Sequence, residues 1–437
     1  MNLKPNTNLK EKDDMDCVAY GLDFGTTNSA ISVLGADGSV KVLPVNQSGG
    51  EIVKSVLFFP PRSQKAYVGQ EAIQEYVKAG MRGRLIQSIK SALADDKFTG
   101  TLINGERHQI EDLIAVIISF LKSRADEIIG RQINRVVLGR PAIFSSDPDK
   151  EKLARERLIV VAQKAGFQDI EFQLEPIAAA LHYESSLKQP QTVLVADLGG
   201  GTSDFTLMKL SPEKASETQR DADILATNGI YIGGDNLDAR IMWRKVVKYF
   251  GSEANYQSGS KWLHVPHRLI DSICDWHFLS FIKEDRFEQE LIQMIRQSAD
   301  NPEAIDRLQS LIDNNLGFAL SRSVEIAKCE LSSIRKSSII FNEDEINISE
   351  EITREEFENS IKDELAKIKD CLHRLLASAG LTPKDVDTVF LTGGTSYVPA
   401  IKKLFQDEIG ADKIVSGDNF VSVAAGLALS SKLFFRK

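Results

Sequence analysis

TVLVADLGGGTSDFTLM, Thr192–Met208, is the stretch on which the reading of this chain turns. Thr192–Ala196 is a short apolar run with β-branched residues, the signature of a buried strand. It meets an acid, Asp197, then the glycines Gly199, Gly200 and Gly201, the hydroxyls of Thr202 and Ser203, a second acid, Asp204, and a second apolar run. The pattern predicts a hairpin whose turn does not fill its own space. Glycine lets backbone N–H groups approach a ligand closely and so suits an anion. Two carboxylates repel a phosphate but can hold a hydrated Mg²⁺ that binds one. The stretch therefore reads as a phosphate clamp.

The same order occurs once more, near the start of the chain. Val18–Leu22 reads as a strand ending at Asp23, followed by Gly25, Thr26, Thr27, Asn28 and Ser29 and a further strand, Ala30–Leu34. The two acids stand 174 residues apart, a single recurrence that predicts a duplicated domain rather than a solenoid.

Composition narrows the classes. The chain has 437 residues, 42% hydrophobic and 26% charged, which suits a globular protein of two lobes or more. A net charge of -9 argues against a nucleic-acid partner, whose phosphates want clustered Lys and Arg. No apolar run approaches the roughly 18 residues of a membrane span. Residues 1–16 are polar with mixed charge, lack the apolar core of a signal peptide, and read as a loose tail. The four cysteines, Cys17, Cys274, Cys329 and Cys371, form no C-x-x-C pair, as in a reducing cytoplasm. His264, His267, Cys274 and His277 crowd together without standard metal spacing and read as a helix surface.

Strands and helices alternate through the first half. A helix is expected near Glu71–Ala79 and a hairpin at Asn104-Gly105. Further helices are expected over Glu111–Ile129 and from the Asp147 cap and Pro148 to about Ala165. Asp169–Leu174 reads as a strand, and Glu175-Pro176 opens a small-residue helix. In the second half, Gly233-Gly234-Asp235 starts a helix expected to reach Phe250. Residues from there to Ser332 read as mostly helical, and Thr353–Glu356 has capping-box spacing for one long helix to about Ser378. Thr388–Leu391 reads as a strand running into Gly393-Gly394, and Val421–Ser431 as a last helix.

With these motifs in view, LDFGTTNS (Leu22–Ser29), DLGGGTSD (Asp197–Asp204) and LTGGTSYVP (Leu391–Pro399) resemble the two phosphate motifs and the adenosine motif of the actin/Hsp70 ATPase superfamily. RPAIF at Arg140–Phe144, LEPIAAALHYE at Leu174–Glu184, YIGGDNLDARI from Tyr231 and VEIAKCELSS from Val324 stand in the order of an Hsp70 nucleotide-binding domain. The short DWH-containing insertion and the abrupt end look most like YegD-type Hsp70 homologues, which lack a substrate-binding domain.

The resemblance implies an α/β fold, a duplicated ribonuclease-H-like (actin-like ATPase) domain in two lobes with an inter-lobe nucleotide cleft. Lobe I would span 17–189 with an inserted subdomain at about 46–112. Lobe II would span 190–437 with a helical insertion at about 236–352, and the C-terminal helix would pack back toward lobe I. The implied cofactors are ATP or ADP and Mg²⁺. Asp23 and Asp197 would hold the metal, mainly through its waters. Gly25, Thr26, Thr27 and Asn28 would meet the phosphates from one side and Gly199, Gly200, Gly201 and Thr202 from the other. Phosphoryl transfer rests on positioned charge. Lys90 falls where the family's catalytic lysine stands, with Lys97 the weaker candidate. Glu175, Asp204 and Thr202 would orient the attacking water, and Pro141 would couple the cleft to its lobe. Gly233, Gly234, Glu325, Lys328, Ser332, Gly393, Gly394 and Tyr397 would line the nucleoside.

Two positions depart from the family, which usually clasps adenine between arginines; here they hold Cys329 and Tyr397. Function is expected to be slow Mg-dependent ATP hydrolysis driving lobe closure, in a chaperone-like or regulatory module. A small-molecule kinase, an actin- or MreB-like filament protein and a non-hydrolysing nucleotide sensor are the alternatives. Expected partners are nucleotide and client proteins or co-chaperones, with no nucleic acid and no membrane, for a cytoplasmic monomer.

Overall fold

A computed structural model describes residues 19–35, 38–145, 147–184, 187–214, 217, 220–415 and 422–435. The predicted N-terminal tail lies outside the described residues. Two sheets dominate, and they have the same plan. In the first, Tyr20–Phe24 pairs antiparallel with Asn28–Leu34 and parallel with Arg135–Arg140, which pairs parallel with Asp169–Leu174. Val40–Val42 extends the antiparallel side. In the second, Gln191–Leu198 pairs antiparallel with Ser203–Leu210 and parallel with Thr388–Thr392. Ile224–Ile230 and Ile414–Val415 close the two edges. Each sheet thus has a hairpin at its centre and a strand from far along the chain beside it.

The central strands are apolar at nearly every position because helices cover both of their faces. Leu194 and Ala196 belong to the large core that includes Leu237, Ile368, Leu372 and Phe405. Val193 and Val195, pointing the opposite way, pack with Ile177 and Ala180. In the first sheet Leu22, Ile31, Val33 and Val136 pack against Ile114, Ile118, Leu158 and Val161 of the Ile110–Ile129 and Pro148–Lys164 helices.

Local chemistry explains the helix ends. Asp147 accepts from the Asp149 N–H at 3.0 Å, and Pro148 occupies the first turn, where its missing N–H costs nothing. The capping box forms as read, with the Glu356 N–H donating to Thr353 Oγ1 at 3.2 Å and the Thr353 N–H to Glu356 Oε2 at 2.9 Å.

Two expectations are corrected. The helix from Gly234 stays regular only to Ile241, widens over Met242–Val246, tightens over Val247–Phe250 and stops at Gly251 with φ 89°. The stretch after it is mostly helical, as expected, and also holds one hairpin, Asn255–Ser258 with Lys261–His264. The long helix from Thr353 breaks at Ile361, fully buried at φ -104° and ψ 11°, into Arg354–Ser360 and Lys362–Ser378. Among the described residues no helix is long and apolar enough to cross a membrane.

The last helix, Ser422–Phe434, packs on the first sheet and on the Glu175–Glu184 helix. It crosses Tyr20–Phe24 at Gly21, where an added Cβ would lie 2.2 Å from Ala428 N. Its own Gly426 meets the Glu175–Glu184 helix so closely that a Cβ would lie 1.8 Å from the Ala178 carbonyl oxygen.

Candidate functional site

The glycine turns of the two sheets face one another across a cavity of about 960 Å³. Each is closed by the same hydrogen bond. The Gly25 N–H donates to Asn28 O at 3.0 Å, and the Gly199 N–H donates to Thr202 O at 2.9 Å. Gly25 must be glycine, since a Cβ would lie 2.2 Å from Asn28 O. The turns nearly touch: a Cβ on Gly200 would sit 2.7 Å from Thr27 Oγ1 of the other sheet.

Two further glycine motifs brace the second turn from outside. The Gly234 and Asp235 N–H groups donate to Gly199 O and Gly200 O at 3.0 and 2.8 Å. Gly393, at φ 77°, lies under Leu198 and Asp197, with Thr392 Oγ1 donating to Asp197 Oδ1 at 3.1 Å. Gly234, Gly393 and Gly394 line the cavity. Gly233 is the exception to its assigned place. It is not among the cavity-lining residues and packs beneath the turn, where a Cβ would meet Gly200 O at 2.3 Å.

Acids and one lysine converge at the inner end. Asp23, Asp197, Glu175, Asp204, Thr202, Pro141 and Lys90 all line the cavity. Lys90 Nζ lies 2.8 Å from Glu175 Oε1, both side chains about nine-tenths buried. Thr202 Oγ1 donates to Asp204 Oδ2 at 2.8 Å. Lys97 is exposed and is not among the cavity-lining residues, which leaves Lys90 as the ammonium beside these acids.

Burial, with Glu175 close by, pushes Asp23 up to about 8 and Asp197 to about 6. Burial also raises Asp204. Burial pulls Lys90 down, but Glu175, Asp23 and Asp197 together outweigh it and leave the ammonium above its ordinary value. The acids therefore exceed what one lysine can neutralise, and their hard oxygens suit a divalent cation. Among the described residues no three His, Cys, Asp or Glu side chains converge to enclose an ion directly. An ion held here through Asp23 and Asp197 would keep much of its water, as Mg²⁺ does.

The folded protein keeps a proton on Asp23 that the unfolded chain releases near pH 3.8, so rising pH from about 4 to 8 removes stability. Unliganded protein is expected to melt at lower temperature at pH 8.5 than at pH 6. Asp23→Asn is expected to flatten that slope in a thermal-shift series.

At the outer end, Glu325, Lys328, Cys329, Ser332 and Tyr397 line the cavity. Lys328 Nζ donates to Asp238 Oδ2 at 2.6 Å and to Gly234 O at 3.0 Å. Burial raises Asp238 to about 7 against the pull of Lys328. Glu325 is held between Arg322, one turn before it, and Lys54, whose Nζ lies 3.4 Å away. These cations overcome the effect of burial and keep Glu325 below the usual carboxylate range. Lys54, Asp235, Asp238 and Arg322 line the cavity and were not among the expected site residues. Arg322 and Asp238 each stand one helical turn from a named residue, the signal that could have found them. Lys54 carries no such mark.

The model of the Hsp70 protein family matches residues 84–263 and 282–434. The chain belongs to the Hsp70 family. It is 27% identical over 417 residues to the "Chaperone protein DnaK" of Thermosipho melanesiensis, covering 93% of this chain and 58% of that protein. The proteins of the same name from Thermosipho africanus and Thermotoga neapolitana match at 27% identity and the same shares of each chain. The chain thus spans 58% of the length of these curated Hsp70 relatives. Membership of the Hsp70 family carries the duplicated actin-like ATPase fold, which the paired plan of the two sheets displays.

Proposed function

We propose that this Hsp70-family chain binds ATP with Mg²⁺ in the cavity between its two sheets and hydrolyses it slowly. The exchange of ATP for ADP then sets how tightly the halves close, in a chaperone-like or regulatory cycle. The observation that carries this is the meeting of Lys90, Glu175, Asp23, Asp197 and the Thr202–Asp204 pair where the two glycine turns face each other.

When bound, Mg²⁺ would supply positive charge against the phosphate oxygens, held by Asp23 and Asp197 in their ionised forms. Thr26, Thr27 and Asn28 offer donors from the first turn, and Gly199–Thr202 wrap the phosphates from the second. Lys90 places its ammonium against the charge that develops on the transferred phosphoryl group. Glu175 and Asp204 accept hydrogen bonds from the attacking water and fix its direction, with the Thr202 hydroxyl holding Asp204 in place. A ligand touching both turns couples the bond being cleaved to the distance between the sheets. The proposed division is lobe I over 17–189 and lobe II over 190–437. Nucleotide is the proposed ligand, and client proteins or co-chaperones are the proposed macromolecular partners, by analogy with the chaperone name of the relatives.

Titration calorimetry is expected to show one ATP or ADP bound per chain and weaker binding in EDTA. Phosphate release is expected below about 1 s⁻¹, under the usual enzyme range. A flat titration with both nucleotides would overturn the reading.

A further inference from the structure

Lys90 stands on a segment with little regular structure to hold it. Ile89–Ala92 forms one short 3₁₀ turn after Ser88, which is not glycine yet lies at φ 53°. The chain then loops to Gly100 before the next strand begins. Ile89 and Leu93 bury their side chains, so the backbone beside them must find partners inside the protein.

One side chain supplies those partners. Arg157, on the Pro148–Lys164 helix, is 6% exposed. Its Nη1 donates to the carbonyl oxygens of Ala92, Leu93 and Asp95 at 3.1, 3.0 and 2.9 Å, and its Nη2 to Phe98 O at 3.3 Å. Its Nε faces Glu111 Oε1 at 3.2 Å, which places a counter-charge beside the buried guanidinium. The link to Lys90 is short: the Leu93 N–H donates to Lys90 O at 3.1 Å, and Leu93 O is one of the four carbonyls Arg157 holds. Lys150 adds a second, exposed tether from the same helix, 3.5 Å from Asp96. A guanidinium carries five N–H donors in a rigid plane, whereas an ammonium carries three at a point and cannot span four carbonyls and a carboxylate.

We propose that Arg157 is the positioning residue for Lys90, fixing the 92–98 loop so that the ammonium stays on Glu175 inside the cavity. This rests on Lys90 acting there as described above. Arg157 is not among the residues lining the cavity, so its effect on turnover passes through the loop alone.

Arg157→Met and Arg157→Lys in the full chain test this by two independent readouts. The first is acetylation by an N-hydroxysuccinimide ester, followed by mass spectrometry without nucleotide. Lys90 is expected to react roughly tenfold faster or more in Arg157→Met through local opening, and by less in Arg157→Lys. Lys122, also 6% exposed and paired with Asp126 on another helix, is expected to keep its rate. The second is steady-state phosphate release. Here kcat is expected to fall on the order of 10- to 100-fold, as for a catalytic group displaced by about 1 Å, with KM nearly unchanged. In a Lys90→Ala background Arg157→Met should cost nothing further.

Unchanged Lys90 labelling overturns the proposal. So does a parallel rise at Lys122, which marks general loosening, or an equal loss of turnover in the Lys90→Ala background. If Arg157→Met does not fold, Arg157→Lys carries the test. If the wild-type chain releases no phosphate, the ATPase reading falls, and the labelling ratio still decides whether Arg157 holds Lys90.

Discussion

Lys90→Ala is expected to lower phosphate release by on the order of 100- to 1000-fold, the loss typical of removing one preorganised stabiliser of transition-state charge. Binding of Mg-ATP is expected to survive. Under the proposed reading the ammonium is one of several groups that meet the phosphates, and the substitution leaves the two glycine turns and the outer end of the cavity intact. The unliganded protein should also change in a defined way. Lys90 is a principal influence holding the neighbouring acids down, so its removal should push Asp23 and Asp197 further up and make metal binding weaker at low pH. Single-turnover phosphate release alongside calorimetry separates these effects. Turnover equal to wild type would remove Lys90 from the chemistry, and lost binding with normal residual turnover would make it a ligand anchor instead.

Gly426→Ala is expected to be the most damaging small substitution for stability. The added Cβ would meet the Ala178 carbonyl oxygen at 1.8 Å and its carbon at 2.4 Å. These are backbone atoms of the Glu175–Glu184 helix, which cannot turn aside as a side chain would. Relief requires separating the last helix from that one, which opens the small apolar contact among Val137, Ala178 and Leu427. Overpacking of this kind costs about 3 kcal/mol at the upper end of the usual range. Because the strained helix begins at Glu175, turnover should fall even where the variant folds. Urea unfolding midpoints check the first part. Gly201→Ala serves as the control, since a Cβ there meets nothing within 4 Å and should leave the midpoint in place. Equal midpoints for the two variants would contradict the packing account.

What the sequence made legible was whatever repeats or must be glycine. The strand, acid and glycine order at Asp23 and at Asp197 announced two equivalent turns, and the structure closes both with the same N–H to carbonyl bond. The Thr353–Glu356 box and the Asp147 cap were readable because a cap is a local event between residues two or three apart. The Asn255–His264 hairpin was not. Its strands read NYQS and KWLH, and only Tyr256 among them is buried, so no alternation marks them. The break at Ile361 was equally silent, since it is made by tertiary burial of one isoleucine rather than by Gly or Pro.

In the cavity, the meeting of the two glycine turns was legible and the outer end only partly so. Glu325 and Lys328 carry a spacing, but Lys54 reaches Glu325 across 271 residues of chain, and no local pattern encodes such a pair. Lys90 was found through family resemblance alone, as one lysine among many on an irregular loop. Gly233 was misplaced because a glycine needed for close packing looks the same in sequence as one that meets a ligand. Cys329 and Tyr397 fall on the cavity wall, so the departures from the usual arginines concern the site itself.

A crystal structure grown with ADP and Mg²⁺ tests the central claim most directly. The account predicts the phosphates between Thr26–Asn28 and Gly199–Thr202, the metal within one water of Asp23 and Asp197, and the base beside Cys329 and Tyr397. A nucleotide bound outside the space between the two glycine turns, or a cavity without nucleotide at saturating concentration, would contradict it.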